Sequence, residues 1–251
     1  MSKKILITGA SSGFGKATAY RFAKEGWNLI ITGRREDRLN AIADQLMKTF
    51  QIDVSIKVFD VQNREQVFKA LSNDPNLEDL DALVNNAGLA LGRDYFDEAN
   101  LDDWETMIDT NLKGLLYVTK AIVPYFIKRG KGHVMNIGST AGKEVYEKGN
   151  VYCATKTSVE AISQAMRIDM LRHQIKVTAI HPGAAETEFS IVRFKGDEAM
   201  AKTVYDGYQP LKADDIADTI FYCANLPEHV CVNSLVMTCT SQANSFYLLR
   251  K

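Results

Sequence analysis

No stretch of this sequence is apolar for long enough to cross a membrane, and its charge is almost balanced. A bilayer span needs roughly 20 apolar residues. The apolar run after Met1–Lys4 ends at Thr8-Gly9, which is also too short for the core of a signal peptide. Thirty basic residues stand against 31 acidic ones, so no electrostatic argument supports binding to nucleic acid or to a membrane surface. We expect neither as a partner.

Cysteine and histidine are both scarce, and neither has a metal-binding spacing. The four cysteines contain no C-x-x-C pair, and the four histidines form no H-E-x-x-H motif. A zinc site, or any other metal site, is therefore not expected. We interpret the cysteines as buried free thiols, which are typical of a reducing compartment, and expect the protein in the cytoplasm.

Short apolar segments alternate with longer segments of helical periodicity along the chain. With 251 residues and 46% hydrophobic content, the chain can bury one sizeable core, and we predict a single domain over residues 1–251. Near-continuous apolar strands favour a parallel sheet covered on both faces. We predict an α/β fold, a single-domain Rossmann-type doubly wound parallel sheet of about seven strands with helices on both faces. The predicted strands are Ile5–Thr8, Leu29–Thr32, Val54–Phe59, Ala82–Asn85, His133–Ile137, Lys176–Ile180 and Ser234–Cys239. The predicted helices are Gly15–Glu25, Arg38–Thr49, Arg64–Leu71, Trp104–Lys128, Val151–Arg172 and Asp214–Ala224.

One late stretch, residues 182–208, has no regular periodicity. A loop of this length within a compact domain is usually functional. We predict that it forms a substrate-binding loop or lid.

The first predicted strand leads directly into a glycine-rich loop, and a predicted helix follows. Glycine permits a tight turn and a close approach to a pyrophosphate, and the helix N-terminus offers free N–H groups and a positive dipole end. A glycine triplet alone also fits a structural turn, but its place between strand and helix favours a phosphate site. The predicted cofactor-binding residues of this loop are Gly9, Ala10, Ser11, Ser12, Gly13, Phe14 and Gly15.

The loop does not fit a P-loop nucleoside triphosphatase. The pattern G-x-x-x-x-G-K-[ST] would place Ala10 at its first glycine and Ala17 at its hydroxyl position. Without that hydroxyl, the Mg²⁺ ligand of the motif is missing. A dinucleotide is the better match for this loop.

The end of the second predicted strand distinguishes between the two nicotinamide dinucleotides. NAD sites place an acid there, about 20 residues beyond the glycines, to bind the ribose 2′-hydroxyl. This chain has Arg34 and Arg35 instead, and a guanidinium binds the 2′-phosphate that an acid would repel. A solvated surface pair is the alternative interpretation. Together with the glycine loop, the two arginines predict NADP as the cofactor.

Tyr152 and Lys156 are four residues apart in a predicted helix, which puts both side chains on one face. A free tyrosine titrates near ~10 and is a poor base at neutral pH. A nearby ammonium favours the phenolate and lowers its pKa. The two residues can therefore form a general acid/base unit, although this spacing also occurs by chance on many helix surfaces.

Five motifs together resemble those of the short-chain dehydrogenase/reductase family. They come in the family's order and at its usual separations, and the resemblance covers essentially the whole chain. The motifs are Thr8–Gly15, Asn85–Gly88, Asn111 within Thr110–Gly114, Ser139 after Ile137-Gly138, and Tyr152 with Lys156.

The resemblance implies a role for each catalytic candidate. Tyr152 is expected to exchange a proton with the substrate oxygen, and Ser139 to donate a hydrogen bond to it. Lys156 is expected to lower the pKa of Tyr152 and to bind the nicotinamide ribose. Asn111 is expected to hold a water that links Lys156 to solvent, with a structural role in bending its helix as the alternative. The hydride itself belongs to the cofactor.

The resemblance also extends the cofactor site to three segments at the carboxyl ends of predicted strands, where open α/β sheets bind ligands. The first is expected to contact adenine, the second to lie along the cofactor, and the third to surround the nicotinamide amide. For Asp60, a helix N-cap is an equal alternative. The residues are Asp60 and Val61, then Asn86, Ala87 and Gly88, then Pro182, Gly183 and Thr187.

Three stretches are similar, within that family, to the NADP-dependent 3-hydroxy acid dehydrogenases, which act on L-serine and malonic semialdehyde. They are Gly88–Gly92, Asp103–Asn111 and Thr187–Asp197. A carboxylate substrate needs a cation in the pocket, and Arg193 is the candidate beside Ser139 and Tyr152. A surface or subunit-contact arginine is the alternative. The chain departs from the pattern at residues 143–145 and 184–186, which flank the pocket and bear on the substrate.

Two other functions fit the same motifs. One is an NADPH-dependent reductase of other ketones, including acyl-carrier-bound 3-oxoacyl groups. The other is a non-catalytic NADP-binding regulator, which would have no need to keep Asn111, Ser139, Tyr152 and Lys156 together. The family's members are commonly homotetramers. The tail Ser245–Lys251 is apolar and could be buried against a neighbouring subunit, so we expect a homo-oligomer, specifically a tetramer.

Overall fold

The computed structural model of the protein describes residues 2–251, in which strands and helices alternate along the chain. The strands are β1 (Lys4–Ile7), β2 (Asn28–Gly33), β3 (Val54–Val58), β4 (Ala82–Asn85), β5 (Gly132–Ile137), β6 (Ile175–Pro182), β7 (Ala185–Glu186), β8 (Leu211–Lys212) and β9 (Ser234–Met237). The α-helices are α1 (Gly13–Lys24), α2 (Glu36–Phe50), α3 (Arg64–Leu71), α4 (Leu101–Ile108), α5 (Leu115–Arg129), α6 (Asn150–Met170), α7 (Glu188–Arg193), α8 (Glu198–Thr203) and α9 (Ala213–Ala224).

Seven of these strands form one parallel sheet in the order β3-β2-β1-β4-β5-β6-β9. The predicted α/β class and doubly wound, seven-stranded parallel sheet are therefore confirmed. The order of the strands reverses between β1 and β4. In an open α/β sheet, such a reversal opens a crevice at the carboxyl ends of the strands, where ligands bind.

The apolar strands are buried because helices cover both faces of the sheet. Ile5 and Ile7 of β1 point into a core formed with α1, α2 and α9, whereas Leu6 between them points into a second core with α3 and α5. All three side chains are fully buried. Successive residues of a strand face opposite sides, so a strand covered on both faces must be apolar at every position.

The predicted helix Trp104–Lys128 is longer at its N-terminus and interrupted in its middle. It begins at Leu101 because the Asn100 side chain accepts hydrogen bonds from the backbone N–H groups of Asp102 and Asp103. Between α4 and α5, residues 109–114 form a π-helical segment. Such segments are rare and often lie at functional sites. Here the segment contains Asn111.

The late stretch, residues 182–208, is more regular than predicted. It contains the short strand β7, which pairs with β8, and the helices α7 and α8. Thr187 and Asp197 begin these helices, since their side chains accept from the N–H groups of Phe189 and Met200. The helices are only six residues each, too short for periodicity to reveal them.

Candidate active site

A cavity of about 750 Å³ lies at the carboxyl edge of the sheet. Its lining includes residues that directly follow β1, β2, β4 and β5 in the chain, because the ends of parallel strands meet at one edge. The structure brings all but three of the predicted site residues to this cavity. The exceptions are Ala10, Gly15 and Asn111, which are buried behind its wall.

The glycine loop is folded tightly against the sheet. The Ala10 N–H donates to the Thr32 carbonyl at 3.0 Å. A Cβ at Gly15 would lie 2.4 Å from the Gly9 carbonyl oxygen, so α1 can begin this close to the loop only with glycine at Gly15. At the N-cap position of α1, the Ser12 side chain makes no capping hydrogen bond within residues 2–251. The first N–H groups of α1 therefore suit a phosphate.

Asn86 connects this loop to the end of β4. Its side-chain amide donates to the carbonyls of Thr8 and Gly9 at 2.8 and 3.2 Å. The Thr8 hydroxyl in turn accepts from the N–H groups of Asn86 and Ala87, both at 3.0 Å. The segment that was predicted to lie along the cofactor thus also holds the glycine loop in place.

Arg35 is bound to the glycine loop, whereas Arg34 extends from it. The Arg35 guanidinium donates to the Ser11 hydroxyl at 2.9 Å and to the Ser12 hydroxyl at 2.7 Å. The Arg34 side chain is 62% exposed and makes a 3.4 Å contact with Asp60. Two guanidinium groups therefore face the same end of the cavity, beside hydroxyl groups that could also bind a phosphate.

Glu188 at the start of α7 binds two arginines at this end of the cavity, Arg35 and Arg38. Its carboxylate accepts from Arg35 at 3.0 Å and from Arg38 at 2.8 Å. Burial opposes its ionisation, but the hydrogen bonds from the two arginines outweigh burial and keep the pKa of Glu188 below its usual value. The sequence analysis missed Glu188 because it treated residues 182–208 as irregular.

Asp60 and Thr187 have clear local roles as well as places in the cavity. Asp60 is not the N-cap of α3, which is Asn63, whose side chain accepts from the Gln66 N–H. The Asp60 carboxylate instead accepts from the Gln62 N–H at 3.0 Å and turns the chain below the cavity. Thr187, by contrast, is itself a helix N-cap.

Tyr152, on α6, lies in the cavity wall near Ser139, which follows β5. Its side chain is almost entirely buried. Burial, followed by the nearby Tyr146, raises the pKa of the Tyr152 hydroxyl, while Ser139 and Arg193 act in the opposite direction. In this structure the phenol is therefore a proton donor.

Lys156 is buried on the same face of α6 as Tyr152. Its ammonium donates to the Ile137 carbonyl at 2.9 Å and lies 5.9 Å from the Tyr152 ring centre. Burial lowers the pKa of Lys156 itself to about 8. Burial disfavours the charged form of both groups.

Asn111 has a structural role, and its role in holding a water stays a prediction. Its side chain accepts from the Leu89 N–H and donates to the Leu89 carbonyl, both at 2.8 Å, and donates to Thr155 at 3.1 Å. It thus joins the π-helical segment to α6 and to the chain after β4. A Cβ at Gly88 would lie 3.2 Å from Asn111 and 3.4 Å from the Lys156 ammonium, so Asn111 is close to the lysine.

Arg193, at the end of α7, reaches the same part of the cavity as Tyr152. It donates from Nη1 to the Tyr146 hydroxyl at 3.0 Å and from Nε to the Gly92 carbonyl at 3.2 Å. Its guanidinium carbon lies 5.6 Å from the Tyr152 ring centre. Within residues 2–251 these bonds leave the other guanidinium N–H groups for a ligand.

Two further groups of cavity residues were not predicted. Tyr146 and Phe189 contact the catalytic candidates, and the ring centres of Phe189 and Tyr152 are 5.7 Å apart. The apolar tail contributes Phe246, Leu248 and Arg250 to the cavity wall. The tail also contacts residues 182–208. The Arg250 guanidinium donates to three backbone carbonyls at and just after the end of α8, those of Thr203, Val204 and Asp206.

The structure offers no group of three or more His, Cys, Asp or Glu side chains in residues 2–251 that could hold a metal ion. No helix in the same residues is long and apolar enough to span a membrane. All four cysteines are free, and three of them are buried.

Comparison with known proteins gives consistent matches over nearly the whole chain. The sequence matches the family described as short chain dehydrogenase over residues 3–197. It is 44% identical to the NADP-dependent 3-hydroxy acid dehydrogenase YdfG of Salmonella typhi, over 95% of this chain and 96% of that protein. It is 45% identical to sulfoacetaldehyde reductase 2 of Chromohalobacter salexigens, over 98% of both chains.

Among solved structures, the closed form of serine dehydrogenase complexed with NADP⁺ has a TM-score of 0.91 to this protein. The two sequences are 41% identical, and the match covers 99% of each chain. The similarity therefore includes the late stretch and the tail as well as the dinucleotide half of the cavity.

Proposed function

The chain belongs to the short-chain dehydrogenase family, and we propose that it is an NADP-dependent oxidoreductase that transfers a hydride between the nicotinamide and a small 3-hydroxy acid or its semialdehyde. The observation that carries this proposal is the position of Arg193, 5.6 Å from the ring of Tyr152. An anion receptor thereby stands beside an acid/base group. The lid, residues 182–208, supplies Arg193.

The residues at the arginine end of the cavity fit NADP. The uncapped N-terminus of α1 suits the pyrophosphate, and Arg34, Arg35 and the Ser11 hydroxyl suit the 2′-phosphate. Asp60 and Val61 would border the adenine, and Thr187 the nicotinamide amide. When bound, the cofactor supplies the carbon that gives or accepts the hydride.

The catalytic residues act on the substrate oxygen. In the reducing direction, the Tyr152 hydroxyl gives its proton to the carbonyl oxygen while the Ser139 hydroxyl donates a hydrogen bond to the same atom. In the oxidising direction, Tyr152 in its phenolate form takes the proton of the alcohol. Lys156 binds the cofactor ribose. Asn111 lies close to the Lys156 ammonium, behind Tyr152. Arg193 binds the anionic group and thereby orients the substrate.

A second candidate substrate has the same shape. In a 3-hydroxy acid, one carbon separates the reacting carbon from the carboxylate, and in sulfoacetaldehyde one carbon separates the aldehyde from the sulfonate. A sulfoacetaldehyde reductase is among the relatives of this chain, at 45% identity. Arg193 could bind either anion through paired N–H groups. The substrate assay must therefore include both.

We further propose that the enzyme works as a homotetramer in the cytoplasm. Ile168 and Leu171 at the end of α6 are 75% and 73% exposed, and Tyr247 and Leu249 of the tail are also exposed. Apolar groups of this size favour burial against another subunit. The free cysteines suit a reducing compartment. We expect light scattering of the purified protein to give four times the chain mass, and a monomer at micromolar concentration would contradict the assembly.

Replacing Arg35 should affect NADPH far more than NADH. The change Arg35→Ala removes a charge-assisted bond to the 2′-phosphate, and we expect the dissociation constant of NADPH to rise at least about tenfold. The dissociation constant of NADH, which lacks this phosphate, should change less than about threefold. Fluorescence titration measures both. Arg64→Ala, at an exposed arginine outside the cavity, is the matched control. Equal weakening of both cofactors would exclude Arg35 from phosphate recognition.

Removing the Tyr152 hydroxyl should abolish the chemistry without abolishing cofactor binding. For Tyr152→Phe we expect kcat to fall at least about 100-fold, because general acid/base catalysis is lost. NADPH should still bind with an almost unchanged dissociation constant. Turnover is followed at the absorbance of NADPH, and Tyr117→Phe, on α5 away from the cavity, is the control. Turnover close to that of the unmodified protein would refute the role.

Replacing Arg193 should separate anionic from neutral substrates. We expect Arg193→Ala to raise KM at least about tenfold for L-serine, 3-hydroxypropionate and 2-hydroxyethanesulfonate, because a charged partner is lost. KM for 1-propanol, which has no anion to bind, should change less than about threefold, and Arg193→Lys should recover part of the loss. The assays follow NADP⁺ reduction, with NAD⁺ in parallel. Equal effects on acids and on the neutral alcohol would remove Arg193 from the substrate site.

A further inference from the structure

We propose that His181 is a positioning residue, which acts on the reaction by fixing the backbone of Ser139 from behind the cavity. The inference rests on the proposed function, since it requires Ser139 to bind the substrate oxygen. His181 itself is fully buried near the end of β6 and does not line the cavity. It can therefore influence the substrate only through Ser139 and its neighbours.

The imidazole of His181 lies against the chain just where β5 ends. Its Nδ1 is 3.4 Å from the Ser139 backbone nitrogen and 3.2 Å from the Ser139 carbonyl oxygen. A Cβ at Gly138 would lie 2.4 Å from the same Nδ1, so the ring packs directly on the Gly138 backbone. The Gly138 N–H still donates to the Ile180 carbonyl at 2.7 Å. The next backbone N–H, that of Ser139, faces the His181 side chain instead of a backbone carbonyl.

Glu160 of α6 holds the other side of the ring. Its carboxylate is 2.6 Å from His181 Nε2, and its side chain is only 14% exposed. Glu160 is four residues beyond Lys156 and eight beyond Tyr152, and residues four apart lie one above the other on a helix. One helix therefore carries the acid/base pair and also, through His181, supports the serine.

The carboxylate at Nε2 determines which hydrogen bond the ring makes with Ser139. A carboxylate only accepts, so Nε2 carries a proton, and in the neutral ring Nδ1 accepts from the Ser139 N–H. A protonated ring would have to donate to the Ser139 carbonyl instead. Burial, assisted by the Lys143 ammonium, lowers the pKa of His181 more than Glu160 raises it. The neutral ring is therefore the form that holds Ser139.

The charged side chains of Glu160 and Lys143 lie next to one another beside His181. Glu160 faces it from α6, and Lys143, after the turn that follows β5, contacts Glu160 at 3.1 Å. Lys143 also donates to the hydroxyl of Ser234 on β9 at 3.1 Å. The negative charge of Glu160 is thus shared between His181 and Lys143, which fixes the carboxylate in place.

Ser139 needs this support because its own side chain has two tasks. The hydroxyl accepts from the Ala141 N–H at 3.1 Å, and under the proposed function it also donates to the substrate oxygen. A shift of its backbone would move that hydroxyl away from the substrate oxygen. A misplacement of about 1 Å can cost about 100-fold in rate. His181 is the buried side chain that opposes such a shift.

A double-mutant cycle tests whether His181 acts through Ser139. For His181→Phe, which keeps a ring of similar size but loses the acceptor, we expect kcat to fall about 100-fold with little change in KM or in the dissociation constant of NADPH. For Ser139→Ala, kcat should fall by about 100-fold or more. The double variant should be within about twofold of Ser139→Ala, because interacting residues are not additive. Additive losses would overturn the proposal.

His133 provides the matched control. It is also a buried histidine, on the neighbouring strand β5, but at the opposite end of the strand from Ser139, where it contacts the Thr178 hydroxyl at 2.7 Å. We expect His133→Phe to leave kcat within about twofold once the folded fraction is measured by thermal unfolding. A fall in kcat as large as that of His181→Phe would show a general effect of core substitution and overturn the positioning role.

Two further variants keep the test decisive if His181→Phe does not fold. His181→Gln retains an acceptor and should keep at least about tenfold more activity than Ser139→Ala, and Glu160→Gln should lower kcat less than Ser139→Ala does. In both, the primary isotope effect with deuterated NADPH should rise as hydride transfer becomes slower. A His181→Gln variant as inactive as Ser139→Ala, or an unchanged kcat and isotope effect in Glu160→Gln, would overturn the proposal. If Ser139→Ala and Tyr152→Phe were themselves fully active, the proposed function would fail instead.

Discussion

The hydrogen bond from the Lys156 ammonium to the Ile137 carbonyl fixes helix α6 against the end of strand β5. The turn that follows β5 is also close to α6, since a Cβ at Gly142 would lie 2.5 Å from the Lys156 carbonyl oxygen. Ser139 comes two residues after Ile137, and Tyr152 comes one helical turn before Lys156. The same contact therefore brings the two hydroxyl groups together. A helix turned by one residue would rotate about 100° and point Tyr152 away from the cavity.

Helix α7 joins the two ends of the cavity. Glu188 at its start binds the arginines of the cofactor end, and Arg193 at its end lies beside Tyr152. Phe189 between them contacts the Tyr152 ring. A movement of this six-residue helix must therefore change both ends together. The tail limits such movement, because Arg250 is bound to the end of α8, which follows α7 in the lid.

Features set by local sequence could be predicted, whereas features set by packing could not. The apolar runs indicated the seven strands of the sheet, and those of the central strands are continuous because a strand buried on both faces has to be apolar throughout. The glycine loop and Arg34 were found because a motif and its place after a strand are both visible in sequence. The π-helical segment was missed, and so was the bond between Asn111 within it and Leu89, which lies 22 residues away. Glu188 was missed for a related reason, since its partners lie about 150 residues earlier. Periodicity placed Lys156 and Tyr152 on the same face, but it could not show how deeply both groups are buried.

Burial has opposite effects on the two members of the acid/base pair, and both favour the uncharged form. It raises the pKa of the Tyr152 hydroxyl and lowers that of Lys156 to about 8. At neutral pH the phenol therefore keeps its proton, which suits the reduction of a carbonyl. The groups that oppose this effect on Tyr152 are Ser139 and Arg193, which are also the groups proposed to hold the substrate. Under the proposed function, Arg193 would therefore bind the substrate anion and also act on the pKa of Tyr152.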